Sequence, residues 1–226
     1  MIPLRDNVGA RRLLSITNLL IAANMAVFIY EMRLGDAVVP MVQEYGMVPA
    51  RIAHLIRAPG FGALPPVVTM LTSLFLHGSL FHIAGNMLFL YIFGPAVEDR
   101  FGRGRFLCFY LAAGVAAALA MVWMEPASTV AMIGASGAIA GVLGSYFVLY
   151  PRARIATLIP LLIFVEVIEV PAVLYLMLWF ALQIHAAVRG GGGVAWWAHV
   201  GGFLFGVTLA PVLARTTSRR RAKALW

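Results

Sequence analysis

The chain has 226 residues, 62% of them hydrophobic and 12% charged, with a mean hydropathy of +0.91. A soluble domain carries about 25% charged residues, so this balance excludes a soluble globular protein and describes one embedded in a bilayer. The formal charge of +8 does not point to nucleic acid, because the cations sit in short tails and turns between apolar runs, where membrane orientation accounts for them.

In chain order, residues 1–12 form a basic tail with Arg5, Arg11 and Arg12. The first span runs from Leu13 to about Met32 and is interrupted by Asn18 and Asn24; without a small-residue cleavage site it reads as retained rather than removed. Gly35 to about Ser73 follows, with prolines at 40, 49, 59, 65 and 66, too broken to span. Its amphipathic pieces, such as Val48 to Ile56, suit the membrane interface. Connections this long are often functional.

Leu74 to about Val97 is the second span, and it is unusually polar. It contains His77, Gly78, His82 and Asn86. His82 and Asn86 are four apart and share one helix face. Polar side chains inside a span are costly and face a bundle interior or a water cavity. Interhelical hydrogen bonding is the plain alternative for His82 and Asn86, and for His77, at the outer start of the span, a structural role is the better reading. Glu98, Asp99, Arg100, Arg103 and Arg105 then form a tight charged turn. Phe106 to Met124 is the third span and holds the lone Cys108, which excludes an intrachain disulfide and a cysteine metal cluster.

After a loop over 125–133 comes Gly134-Ala135-Ser136-Gly137, with Gly141 further on, opening a short, glycine-rich fourth span from Ser136 to Tyr150. Residues 155–170 carry Pro160, Glu166 and Glu169 and read as a re-entrant or interfacial segment. Pro171 to about Val188 is the fifth span, Arg189 and the glycines 190–193 a turn, and Ala195 to Leu213 the sixth. The tail holds Arg215, Arg219, Arg220, Arg221 and Lys223. With six spans, only Arg33, Arg51, Arg57 and Arg189 fall on the side opposite the termini, which places both termini in the cytoplasm.

Three stretches could carry chemistry. Ser136 sits at a helix N-terminus, where free amides and the helix dipole favour developing negative charge. Small-residue patterns of this kind also serve simply as helix-packing faces. On the sixth span, His199, Gly202 and Gly206 recur at one-turn spacing and make a nearly flat face. The smallest surface available to it is the fourth span, and packing the two brings Ser136 and His199 to comparable depth. A neutral imidazole there can deprotonate a serine and then protonate a leaving amine. No Asp or Glu lies in the outward halves of these spans, so the pair is expected to be a dyad whose imidazole is oriented by packing. His185 has no small-residue partner face and His54 lies in the long loop; both rank below His199 as a base.

With these residues the sequence resembles the rhomboid intramembrane serine proteases. The resemblance covers residues 10–214 and rests on Gly134-Ala135-Ser136-Gly137, on His82 and Asn86 behind His77-Gly78, and on Ala198-His199-Val200-Gly201-Gly202 with Gly206, in the family's order. It implies an all-α, six-span bundle with a membrane-embedded first outer loop. It further implies Ser136 as nucleophile and His199 as base, with His82, Asn86 and the Ser136 amide as oxyanion hole and His77 holding the outer loop. Gly134, Gly137, Gly141, Gly202 and Gly206 shape the site. Two departures stand out: Thr69-Met70 replace the Trp-Arg often found before the Leu-Thr-Ser segment, and Ala140 replaces an aromatic residue four after the serine.

The expectation is a serine endopeptidase that cuts membrane-protein substrates in or beside a transmembrane helix near its outer end. It would use no cofactor and no metal and have no nucleic-acid partner. The protease domain spans 13–214, between a basic N-tail (1–12) and C-tail (215–226), in a bacterial plasma membrane. An inactive rhomboid-like protein that binds transmembrane helices is the alternative, although such relatives commonly lack the serine or the histidine. A transporter would want an ionisable path or an inverted repeat, and neither is evident. Oligomeric state and substrate identity stay open.

Overall fold

The computed structural model describes residues 1–9, 14–57, 66–161, 164–190 and 193–223. Arg11, Arg12, Leu13, Pro59, Pro65 and two of the turn glycines lie outside these, and the side chains of the basic C-tail are likewise outside the description. The elements in order are β1 (Ile2–Asp6), α1 (Ile16–Arg33), α2 (Val38–Tyr45), α3 (Pro49–Arg57), α4 (Pro66–Thr72), α5 (Leu80–Phe101), α6 (Arg103–Met124), α7 (Ser136–Leu149), β2 (Arg154–Leu161), β3 (Phe164–Pro171), α8 (Ala172–Arg189) and α9 (Trp196–Lys223). The molecule is a mostly helical, multi-pass membrane bundle. Among the described residues, α5, α6, α8 and the 196–214 part of α9 are long and apolar enough to cross a membrane.

α7 occupies the middle. Every residue from Gly137 to Tyr146 is buried. With 14 residues the helix reaches about 21 Å, short of the roughly 30 Å hydrocarbon core. Its small residues let α9 lie against it backbone to backbone. A β-carbon at Gly202 would run into the carbonyl of Gly137, one at Gly206 into the carbonyl of Gly141, and one at Gly144 into that of Phe203. From the other side α6 presents Ala117 and Ala113; β-carbons at Gly137 and Gly141 would each come within 2.6 Å of them. The flat face expected around His199, Gly202 and Gly206 therefore does meet the glycine-rich helix that begins at Ser136.

The charged turn between the second and third spans is smaller than the sequence suggests. α5 continues to Phe101, and the chain reverses at Gly102 with φ +81°. Glu98 is consequently not in a solvated turn but buried, accepting hydrogen bonds from the Ile16 and Thr17 amides (2.9 Å each) and the Thr17 hydroxyl (2.8 Å). A carboxylate at the positive end of α1 stabilises that helix start, which Ser15 also caps through the Asn18 amide at 3.1 Å.

The long connection holds the short helices α2, α3 and α4, and α3 coincides with the expected amphipathic piece. It is tied to the 125–133 loop by a backbone bridge between Met47 and Met132 and by the Ala50 amide on the Ser128 carbonyl at 3.0 Å. The Gly134 amide donates to the Ser73 carbonyl at 2.8 Å. With Thr69-Met70 in place of Trp-Arg, the connection is held by these main-chain bonds together with the Thr72 hydroxyl, which donates to the Tyr45 carbonyl at 2.6 Å.

Residues 155–170, expected as a re-entrant or interfacial segment, take the form of a β-hairpin. β2 and β3 pair antiparallel from Arg154–Pro171 to Leu161–Phe164, and β1 joins β2 with Ile2 opposite Leu158. Ile2–Asp6 are thus part of a sheet, and the Tyr146 hydroxyl donates to Asp6 Oδ2 at 2.9 Å, fastening that sheet to the inner end of α7.

Candidate active site

Ser136 is the first residue of α7, as the sequence reading places it. The backbone turns into the helix through Gly134 at φ +113°, a conformation that a side chain would strain. There is also no room for one: a β-carbon at Gly134 would lie 2.6 Å from His82 Nε2. The Ser136 amide is among the first N–H groups of the helix, which have no intrahelical acceptor. The serine is half-buried and opens into a cavity of about 890 Å³ lined by His82, Asn86, Trp179, Gln183 and His199 among others.

The α7–α9 packing brings His199 onto the serine. His199 Nε2 lies 2.8 Å from Ser136 Oγ, at hydrogen-bond distance, although the two are 63 residues apart. The imidazole is 8% exposed. Its other nitrogen, Nδ1, lies 2.7 Å from Oε1 of Gln183 on α8. The expectation is packing in place of a carboxylate; the ring has no carboxylate partner among the described residues, and a buried amide contacts it in addition to the packing. Packing contributes through Trp179, whose ring centroid is 6.1 Å away at 33°, and through Trp196, edge-on at 5.9 Å. These rings lie beside the imidazole where Ala140 offers no aromatic surface.

His82 and Asn86 project from α5 into the same cavity. Asn86 Nδ2 is buried and has no hydrogen-bond partner among the described residues. The β-carbon position of Gly134 is 3.5 Å from it, and Asn86 and Ser136 line the same cavity. His82 lies in the first turn of α5, its amide donating to Oγ of the capping Ser79 at 3.1 Å. His77 is buried, packs edge-on against His82 at 5.1 Å, and donates its amide to both Glu31 carboxylate oxygens at 3.2 Å. That contact links the end of α1 to the segment before α5. His54 and His185 are exposed and do not line the cavity.

The arrangement can deprotonate a hydroxyl and offer hydrogen-bond donors to an oxyanion beside it. Gln183 and Glu31 escape the sequence reading. Both are polar residues in runs otherwise fit for a membrane, and that cost of burial was the available signal.

A family model described as "Rhomboid domain" matches residues 65–216. "Rhomboid protein 1, mitochondrial" of Saccharomyces cerevisiae is 28% identical over 168 residues, 70% of this chain and 45% of that protein. "Rhomboid protease GluP" of Bacillus subtilis is 45% identical over 76 residues, 34% of this chain and 14% of that protein. "Presenilin-associated rhomboid-like protein, mitochondrial" of Homo sapiens is 32% identical over 141 residues, 61% of this chain and 36% of that protein. The chain spans less than half the length of these curated relatives.

Proposed function

We propose that the chain, which belongs to the rhomboid family, is an intramembrane serine endopeptidase that cleaves transmembrane segments of other membrane proteins near their outer end. The observation that carries this reading is the 2.8 Å contact between Ser136 Oγ and His199 Nε2 at the wall of a cavity inside the helix bundle. Two groups that cost free energy to bury are held face to face where a substrate and water could meet them.

Ser136 Oγ attacks the scissile carbonyl while His199 Nε2 takes its proton. The oxyanion that forms accepts hydrogen bonds from Asn86 Nδ2, His82 and the Ser136 amide, and the dipole of α7 favours its charge. The imidazolium then protonates the leaving amine. Water repeats the sequence on the acyl-serine and frees the enzyme. A substrate helix must unwind first, since its carbonyls are hydrogen-bonded and covered, so small or helix-weak residues near the cut are favoured.

The catalytic unit is assigned to 13–214, with the basic segments 1–12 and 215–226 in the cytoplasm. The arginine and lysine distribution supports the side assigned to the termini, while a bacterial plasma membrane is proposed although the names of two relatives include mitochondria. No cofactor or metal enters the reaction as written.

Labelling of the detergent-solubilised protein with a fluorophosphonate probe tests the reading. Wild type is expected to label, and Ser136→Ala and His199→Ala to lose the signal. Labelling that survives Ser136→Ala puts the nucleophile elsewhere. A folded wild type that neither labels nor cuts a transmembrane peptide favours a helix-binding protein without protease activity.

A further inference from the structure

We propose that Gln183 is the positioning residue of the Ser136–His199 pair, and that the Trp179 main-chain carbonyl, by fixing which way the Gln183 amide faces, selects the imidazole tautomer that can act as a base. The proposal rests on the protease reading for its consequence, but its structural content stands on four atoms.

A glutamine amide has one accepting end and one donating end. Gln183 is 8% exposed, and a polar side chain buried to that degree pairs its donor and its acceptor. Its Nε2 lies 3.3 Å from the Trp179 carbonyl, one helical turn back on α8, and its Oε1 lies 2.7 Å from His199 Nδ1. A carbonyl oxygen can only accept. Turning the amide over would set Oε1 against that carbonyl, acceptor against acceptor. The NH2 group therefore faces Trp179, and Oε1 faces the ring.

The rest follows by proton accounting. With an acceptor at Nδ1, the hydrogen of a neutral imidazole belongs on Nδ1, and the lone pair is left on Nε2. Nε2 is the nitrogen 2.8 Å from Ser136 Oγ, so the hydroxyl can donate to it. The reversed amide would donate to Nδ1, move the hydrogen to Nε2, and turn a donor toward the serine. A base in that tautomer cannot accept the serine's proton. After transfer, the imidazolium keeps its Nδ1–H bond to Oε1, so the same contact serves both charge states. A neutral amide does this without placing an acid in the membrane interior, where a carboxylate would be costly to hold ionised. Ala140 leaves no aromatic surface after the serine, so this amide and the two indole rings hold the ring plane.

The test uses full-length protein labelled with ¹⁵N-histidine in detergent micelles, with His199 assigned by its loss in His199→Asn. Long-range ¹H–¹⁵N correlations read the tautomer without reference to activity, and fluorophosphonate labelling reads the base. Wild type is expected to show His199 protonated on Nδ1. Gln183→Met keeps the length and removes the acceptor. It should give mixed tautomers and slow labelling at saturating probe roughly 10- to 100-fold, part of the 10²–10⁴ that a positioned base contributes, with half-saturation unchanged. Gln183→Glu restores the acceptor. It should recover the Nδ1–H tautomer and move the acid limb of labelling to higher pH, because an anion at Nδ1 stabilises the imidazolium.

An Nε2-protonated His199 in wild type overturns the proposal, as does a folded Gln183→Met with the wild-type tautomer and rate. If Gln183→Met does not fold, the smaller Gln183→Ala takes its place, and the wild-type tautomer and rate in that variant overturn the proposal instead. A wild type that shows the Nδ1–H tautomer but never labels upholds the positioning role and removes the protease reading.

Discussion

The α7–α9 seam and the flank formed by α8 both hold His199, and they do so by opposite means. Along the seam, helix backbones touch at Gly137–Gly202 and Gly141–Gly206, with no side chain between them. On the flank, α8 leans on the bundle chiefly through the side chains of Tyr175, Leu176, Trp179 and Gln183, with a main-chain bond only at its start, from the Ala172 amide to the Ala153 carbonyl at 2.9 Å. It buries 28% of its apolar stretch against 56% for α5. Leu174, Met177, Leu178 and Leu182 point outward from it. The seam therefore sets how far His199 stands from Ser136, and the flank supplies the amide that meets the other side of the ring. Distance set by backbone contact tolerates no added atom, whereas orientation set by one amide can be altered without moving a helix.

Breaking the seam should have the largest effect. Gly206→Leu places a branched side chain where even a β-carbon would meet the Gly141 carbonyl. Overpacking usually costs about 1–3 kcal/mol, and here backbone rather than a pliable side chain must give way. Thermal unfolding in detergent should fall markedly and serine labelling should disappear. A melting temperature within a degree of wild type would mean that the two helices stand further apart than described.

An intermediate effect is expected across the cavity, where neither region is disturbed. Asn86→Ala removes an unpartnered buried donor. Turnover of a transmembrane peptide should drop about 10²-fold or more, the usual cost of one oxyanion-hole donor, mostly in kcat. The melting temperature should hold, because Asn86 Nδ2 has no hydrogen-bond partner to lose among the described residues. A change confined to KM would give Asn86 a role in substrate binding instead.

The smallest effect sharpens the description of the flank. Leu182 is 55% exposed on α8, one residue from Gln183 but facing away from the site. Leu182→Ala should alter stability by no more than about 0.5 kcal/mol and leave labelling unchanged. A large loss would show that the outer face of α8 is covered by something that also supports Gln183.

Much of this was legible beforehand because local pattern carries it. Ser136 begins its helix where Gly134 and the loop before it predict. The one-turn spacing of His199, Gly202 and Gly206 marks a flat face whatever it meets. Glu98 was misplaced because a charge cluster before a glycine looks like a turn, and only the docking of α1 shows that the carboxylate is used as a cap. The three-stranded sheet was hidden for a similar reason. Ile2–Asp6 pair with residues some 150 positions away in the sequence, and nothing in five residues announces a partner so distant.

The sequence by itself determined that the chain lives in a membrane, how its apolar runs are ordered, and which helix faces are smooth enough to meet. Those properties follow from composition and from periods of a few residues, which act at every position independently of the rest. The tertiary structure alone decided that Gln183, on another helix, reaches the far side of His199 while its Nε2 meets the Trp179 carbonyl. A hydrogen-bond direction depends on where three groups stand in space, and no spacing along the chain encodes it.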